Sequence, residues 1–207
     1  MNHRKFLIVL LSSLFFNTID AQINDVPIDG IGPFGSFSKK DPVAAIGDYC
    51  QILTPLYAAS MTWFKHKDKE GLLQLGGTLL LQEGLVQAMK YGLNDAEVQG
   101  VRLGLRPDGG SNNFPSGHTA DTFASAWYLK KRHGFKESIP AFLLAGFTGF
   151  SRVYVYRHDM KAVGFGALVG IISAEIFTKS FDTDKVALNV SGFNGNNDFL
   201  IGFTYKL

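Results

Sequence analysis

The sequence predicts a mainly α-helical protein of about five helices that ends in a short β-hairpin. Three observations support this prediction. Segments with helix-capping residues fill the middle of the chain, charged residues make up only 18% of the composition, and apolar residues alternate with polar or small ones near the C-terminus. A chain of 207 residues is long enough for one domain with a full-sized core. We therefore expect one helical domain between terminal segments of different character.

The N-terminus has the pattern of an export signal. Arg4 lies in a basic start, Phe6–Phe16 forms an apolar stretch, and Ala21 stands at a plausible cleavage point. We predict a signal peptide over residues 1–21 and an extended, glycine- and proline-rich lead-in over residues 22–40. A buried N-terminal helix is the alternative. With the signal removed, the chain would begin near Gln22 and its functional site would lie outside the cytoplasm.

Residues 41–180 are predicted to form the helical domain. Asp41 can cap the first helix, with Pro42 at its favoured first position and Pro55 as a possible kink. Capping residues and glycines predict helices over Asp41 to Phe64, Lys69 to Tyr91 (closed by Gly92), His118 to about Gly134, Ser138 or Pro140 to Arg152 or Tyr156, and Met160 to Lys179. Gly166 and Gly170 suit close packing of the last helix.

The remaining segments are a long loop and a C-terminal tail. Residues Asn94–Gly117 are polar and rich in glycine, and long loops in compact domains are commonly functional. In the tail, residues 181–207, alternating apolar positions flank the turn-forming segment Asn194–Asn197. This pattern predicts a β-hairpin.

Composition and charge exclude several classes of function. The net charge of +2 is close to balanced, so we expect no nucleic-acid-binding surface. Cys50 is the only cysteine, which excludes an internal disulfide. The sequence contains neither a Cys/His cluster with zinc spacing nor a Walker-type glycine loop. We therefore expect neither a metal nor another cofactor.

Three short blocks concentrate residues suited to phosphate chemistry. They are Arg106-Pro107, Pro115-Ser116-Gly117-His118, and Ser151-Arg152 followed by His158. Arginine presents a planar fork that matches phosphate oxygens, and histidine can act as nucleophile or proton donor near neutral pH. The second block also defines a tight turn into a helix, whose exposed amides attract an anion. Together the blocks favour phosphate-ester cleavage.

The three blocks resemble the motifs of the type 2 phosphatidic acid phosphatase (PAP2) superfamily, which also contains vanadium haloperoxidases and class A acid phosphatases. The resemblance covers about residues 44–179, and its motif style is nearest to bacterial lipid A phosphatases. It implies a helical bundle that hydrolyses a terminal phosphate monoester or diphosphate through a phosphohistidine. The implied substrate is a phosphorylated membrane lipid or a small phosphate ester.

The resemblance also implies a role for each residue. His158 would attack phosphorus, and His118 would protonate the leaving group. The phosphate would be bound by Arg106, Arg152, Ser116, Gly117 and Lys90.

The chain departs from the family pattern at two positions. Ala162 stands where the family has an aspartate that orients the attacking histidine, four residues after His158. We expect Asp159, Asp121 or a backbone carbonyl to replace that aspartate.

The second departure is Gln99, which stands where the family has a lysine of the first motif. Lys90 and Arg102 are the candidate replacements, and the loop around Arg106 looks like a longer version of that motif.

Membrane association is expected from the resemblance and from the apolar composition, with the active site facing the periplasm. The apolar stretches Leu72–Leu81 and Ala162–Ala174 are interrupted by polar residues and fall short of the ~20 residues of a simple spanning helix. Polar residues inside a membrane bundle can, however, face a cavity. Three alternatives remain: a soluble periplasmic acid phosphatase, a vanadium-dependent haloperoxidase, and a non-catalytic envelope protein.

Overall fold

The computed structural model describes residues 41–181 in full, and it gives the backbone of four further strands at 31–32, 35–36, 186–191 and 200–205. The predicted signal peptide and most of the lead-in lie outside the described residues. The strands form three antiparallel pairs: β1 (Ile31–Gly32) with β2 (Gly35–Ser36), β3 (Glu97–Val98) with β4 (Val101–Arg102), and β5 (Val186–Ser191) with β6 (Leu200–Tyr205). The last pair confirms the predicted C-terminal hairpin.

Five α-helices build the domain, as the sequence predicts. They are α1 (Pro42–Ser60), α2 (Lys69–Leu93), α3 (Gly117–His133), α4 (Phe135–Tyr154) and α5 (Met160–Phe177). A π-helical turn, Met61–Lys65, extends α1. Asp41 caps α1 as predicted, because its Oδ1 accepts from the Val43 N–H at 2.8 Å.

Two predicted helix boundaries are wrong. The fourth helix begins at Phe135, not at Ser138 or Pro140. Gly134, at a φ of 102°, ends α3 and at once begins α4, a backbone angle that glycine adopts without a steric penalty. At the other boundary, α2 continues through Gly92 to Leu93.

The central helix is α3, which packs against each of the other four. Small residues make its approach to α5 close. A Cβ at Gly166 would collide with the carbonyl of Ser116, and one at Gly170 would collide with the carbonyl of Ala120. The structure therefore confirms the close packing predicted from the glycine pair.

Large apolar side chains lie mainly on the outside of the bundle. The buried residues of α3 are mostly small or hydroxylated, whereas long apolar residues recur every three or four positions on the outer faces of α1, α4 and α5. The exposed stripes are Ile46, Tyr49, Leu53 and Leu56; Ile139, Leu143 and Phe150; and Phe165, Leu168, Ile172 and Ile176. Among the described helices, α5 is long and apolar enough to cross a membrane. Exposed apolar stripes of this kind suit contact with lipid or with another apolar surface.

Candidate active site

One end of the bundle gathers the three motif blocks. The amide of Ser116, just before α3, donates to the carbonyl of Ala162 in the first turn of α5 at 3.0 Å. Arg152, near the end of α4, donates through Nη2 to the carbonyl of Ala44 near the start of α1 at 2.8 Å. We call this region the site end and the region around the α1–α2 and α3–α4 connections the opposite end.

The second block forms the N-terminus of α3. Ser116 has an extended backbone, and its Oγ accepts from the amide of Thr119 at 3.5 Å, which makes Ser116 the N-cap. Gly117 is the first helical residue, and both residues are buried. Because the first amides of a helix lack carbonyl partners within it, this end can receive an anion. The structure thus places the turn as the sequence predicts.

Asp48 joins the second and third blocks. One of its oxygens, Oδ1, accepts from Arg152 Nη1 at 2.6 Å and lies 3.1 Å from His118 Nε2. The Arg152 side chain is 5% exposed, whereas that of Asp48 is 54% exposed. No motif in the sequence indicates Asp48, which lies 70 residues before His118. The carboxylate holds an arginine and a histidine beside each other while remaining open to solvent.

His158 is held by the backbone of the preceding loop. Its Nδ1 lies 2.6 Å from the carbonyl oxygen of Asn113, and both residues are buried. Because a carbonyl only accepts hydrogen bonds, Nδ1 carries the proton and Nε2 keeps a lone pair. A neutral imidazole in this tautomer has the nitrogen that attack on phosphorus requires.

Electrostatics favour the same neutral form. Burial lowers the pKa of His158 well below its usual 6.5. Positive charge on Arg106, Lys90 and His118 lowers that pKa further. The hydrogen bond from Nδ1 to Asn113 acts in the opposite direction but does not offset them. Arg106 from the long loop and Lys90 from α2 therefore lie close enough to His158 for their charge to act on the imidazole.

Lys90 rather than Arg102 lies at the site. Lys90 is buried near the end of α2 and lies close enough to influence His158. Arg102 is half-exposed on the β3–β4 hairpin and pairs with Asp95. Gln99, at the position of the family's lysine, occupies the exposed turn of that hairpin with a φ of 53°. The position of the family's lysine therefore lies on an exposed turn of the long loop, and Lys90 of α2 provides the positive charge near His158.

The structure also selects among the expected replacements for the missing aspartate. Asp121 accepts from Gln51 Nε2 at 2.9 Å, and Asp159 is bonded to the side chain of Asn113. The group bonded to His158 is the Asn113 carbonyl, so the backbone alternative is confirmed. Asn113 lies two residues before the second block in an Asn-Asn pair, but no sequence signal identifies its carbonyl as the partner.

Over the described part of the chain, no group of three or more His, Cys, Asp or Glu side chains could hold a metal ion.

Known proteins resemble this chain over the helical domain. The model of the family described as "PAP2 superfamily" matches residues 71–185. The lipid A 4'-phosphatase of Helicobacter pylori strain J99 is 29% identical over 167 residues, which cover 78% of this chain and 83% of that protein. A lipid A 1-phosphatase of Porphyromonas gingivalis is 34% identical over 192 residues, which cover 90% of this chain and 40% of that protein.

A solved structure also matches. The crystal structure of Aquifex aeolicus LpxE superimposes with a TM-score of 0.49 at 24% sequence identity, over 67% of this chain and 87% of that one.

Proposed function

The chain belongs to the PAP2 superfamily, and we propose that it is a membrane-associated lipid phosphatase that works through a phosphohistidine. The proposal rests on the tautomer of His158 and on the neutral charge of its imidazole. Its Nδ1 is bonded to a carbonyl, its Nε2 keeps a lone pair, and the positive charges of Arg106 and Lys90 act on the ring. A neutral imidazole within a cluster of cations suits attack on a phosphate anion.

In the first step, the phosphate group is held by cations and helix amides while His158 attacks. Arg106, Arg152 and Lys90 neutralise the phosphoryl charge, and the turn at Ser116 and Gly117 supplies hydrogen-bond donors. The lone pair of His158 Nε2 forms a bond to phosphorus. The P–O bond to the leaving group breaks, and the departing oxygen receives a proton from His118, whose protonated form is stabilised by Asp48 and by the negative charge of the bound phosphate.

In the second step, water releases the phosphate. His118, now without its proton, accepts a proton from water as the water oxygen attacks phosphorus. The N–P bond breaks, its electron pair returns to His158 Nε2, and inorganic phosphate leaves. Both histidines then regain their initial protonation states.

The substrate we propose is the terminal phosphate of a membrane lipid. Relatives that span most of this chain carry the names lipid A 4'-phosphatase and lipid A 1-phosphatase. The apolar stripes on α1, α4 and α5 would place the site end at a bilayer surface, where a phosphorylated headgroup can reach it. Lipid A is therefore the first substrate to test, followed by phosphatidate, phosphatidylglycerol phosphate and undecaprenyl diphosphate.

The orientation we propose has the site facing the periplasm. Lysines cluster at the opposite end: Lys65, Lys67, Lys69, Lys130, Lys131 and Lys136. Lysine and arginine concentrate on the cytoplasmic side of membrane proteins. An exported N-terminus would also place the start of α1, and with it the site end, outside the cytoplasm.

Replacing the nucleophile tests the proposed reaction. We expect His158→Ala to abolish phosphate release from lipid A and from nitrophenyl phosphate, with the helical content unchanged. His66→Ala, at the opposite end, is the matched control and should retain activity. Wild-type protein quenched during turnover should contain an acid-labile, base-stable phosphoprotein that His158→Ala lacks. Phosphate release by folded His158→Ala protein would overturn the mechanism.

The alternatives predict different observations. Halide oxidation that requires added vanadate would indicate a haloperoxidase. Release by osmotic shock without detergent would indicate a soluble periplasmic phosphatase. Phosphate binding without turnover of any substrate would indicate a non-catalytic protein.

A further inference from the structure

We propose that Asn113 and Asp159 form a clasp that positions His158, replacing the carboxylate missing at Ala162. The clasp is defined as the reciprocal hydrogen-bonded pair of these two residues. The proposal rests on the proposed function, because it explains how this chain supports the nucleophile of that reaction. Neither residue would touch the substrate, and both are therefore positioning residues.

The clasp uses the backbone and side chain of Asp159 together. The Asp159 amide donates to Asn113 Oδ1 at 3.2 Å, and Asn113 Nδ2 donates to Asp159 Oδ2 at 3.1 Å. The other carboxylate oxygen, Oδ1, accepts from the Ala162 amide at 2.7 Å and caps α5. Asp159 therefore fixes the side chain of Asn113 to the N-terminus of α5.

The backbone of Asn113 transmits this position to His158. Its amide donates to the carbonyl of Gly104 at 3.0 Å, and its own carbonyl accepts from His158 Nδ1 at 2.6 Å. Residue 113 is thus held through its amide, its side chain and its carbonyl. Because Asn113 and His158 are almost fully buried, water does not compete for the contact.

A carbonyl acceptor differs chemically from the family's carboxylate. It orients the ring and fixes the tautomer, but it adds no negative charge beside it. The negative charge of the clasp lies one residue away on Asp159, where it also meets the first amides of α5. The imidazole is therefore positioned while its neutral form is retained.

Exchanging the two side chains tests the clasp. In Asn113→Asp, two carboxylates face each other. In Asp159→Asn, the new amide caps α5 through its oxygen and turns its NH₂ toward that of Asn113. The double variant Asn113→Asp/Asp159→Asn restores a donor opposite an acceptor, and it keeps both the cap and the bond from the residue 159 amide.

We expect each single variant to lower kcat about 10- to 100-fold with little change in KM. The His158 ring is misaligned in these variants, while the residues that bind the phosphate are unchanged. The double variant should recover to within about threefold of wild type. Steady-state kinetics with nitrophenyl phosphate give the kcat and KM values. Asn112→Asp adds the same charge to the neighbouring residue and should leave kcat unchanged.

Stability is measured in parallel by circular dichroism and thermal melting. If a single variant fails to fold, Asp159→Ser replaces it, since serine retains the cap but lacks the second oxygen that accepts from Asn113 Nδ2. Wild-type kcat in folded single variants, or no recovery in a folded double variant, would overturn the clasp. Absence of activity in wild type would instead overturn the proposed function.

Discussion

Each end of the bundle holds an Asp–Arg pair, and the two pairs are built differently. At the opposite end, Arg132 Nε and Nη2 donate to the two oxygens of Asp68 at 2.6 and 2.9 Å. At the site end, Arg152 donates to a single oxygen of Asp48. The Asp68 side chain is 3% exposed and that of Asp48 is 54% exposed. One pair is closed and the other is open.

The closed pair belongs to a network that ties chain segments together. Asp68 caps α2 through the amide of Gly71, and Arg132 Nη1 donates to the carbonyl of Lys179 beyond the end of α5. Thr62 bonds to Tyr128 and His133 close by. Nearly every polar group of Asp68 and Arg132 is thus used within the fold, which suits a structural role.

The open pair is less completely used within the fold. Asp48 has a second carboxylate oxygen, and its single bonded oxygen serves both Arg152 and His118. A phosphate that approaches Arg152 therefore meets a guanidinium already aimed by α1. The enclosed Asp–Arg pair therefore suits a role in stability. The pair with one exposed partner suits the proposed phosphate site.

The largest expected effects are those of replacing the two arginines, one on stability and the other on activity. Arg132→Leu should lower the free energy of unfolding by about 3–5 kcal/mol, because it leaves the buried carboxylate of Asp68 without its partner. Arg152→Leu should cost less stability, since Asp48 can be solvated and only the bonds to the Ala44 carbonyl and to Ser151 Oγ are lost within the fold. It should instead lower kcat/KM about 10²- to 10³-fold by removing a phosphate contact. Unfolding in detergent and nitrophenyl phosphate hydrolysis measure the two effects.

The two variants control for each other. Equal destabilisation by both substitutions would show that the site-end pair is also structural. Full activity in folded Arg152→Leu protein would remove Arg152 from the phosphate site.

Much of the fold follows from local sequence signals. Asp41 and Pro42 mark the start of α1, and the polar turn before His118 marks the start of α3. These signals act within a few residues. The start of α4 was mispredicted because Gly134 can end one helix and begin the next, whereas Pro140 gave a stronger but misleading signal.

The site was predictable where a motif fixes both residue type and spacing. His118, Arg152 and His158 lie where the blocks indicate. Lys90 and Arg102 were the two candidates for the missing motif lysine, and the structure places Lys90 close enough to influence His158, whereas Arg102 pairs with Asp95.

Asp48 and Asn113 could not be found in the same way. Asp48 meets Arg152 across 104 residues, and such a contact exists only once α1 packs on α4. Asn113 acts through a backbone carbonyl, which every residue has. Long-range packing and backbone groups therefore account for what the sequence did not reveal.

A smaller effect concerns pH and the closed pair. Burial raises the pKa of Asp68, but the hydrogen bonds from Arg132 and Gly71 outweigh it and hold the pKa below 3.8. A depressed carboxyl pKa contributes stability above the unfolded value, and this contribution is lost as pH falls through the folded value. We expect Asp68→Asn to cost about 1.5–3 kcal/mol at pH 7 and progressively less below about pH 4. A cost independent of pH in chemical unfolding would contradict the ionic account.

The smallest effect is expected at the open pair. Asp48→Asn keeps an oxygen that Arg152 and His118 can bond but removes the negative charge. A phosphate anion would then meet less repulsion, so inhibition by inorganic phosphate should become several-fold stronger. His118 would hold its proton less well without the carboxylate, so kcat should fall about tenfold, and the loss should be smallest for substrates with good leaving groups. Asp41→Asn, a charge removal at the N-cap of the same helix and seven residues before Asp48, is the matched control. Phosphate inhibition that is unchanged or weaker in Asp48→Asn would show that Asp48 does not face the phosphate, and the open pair would then be no more than an exposed structural contact.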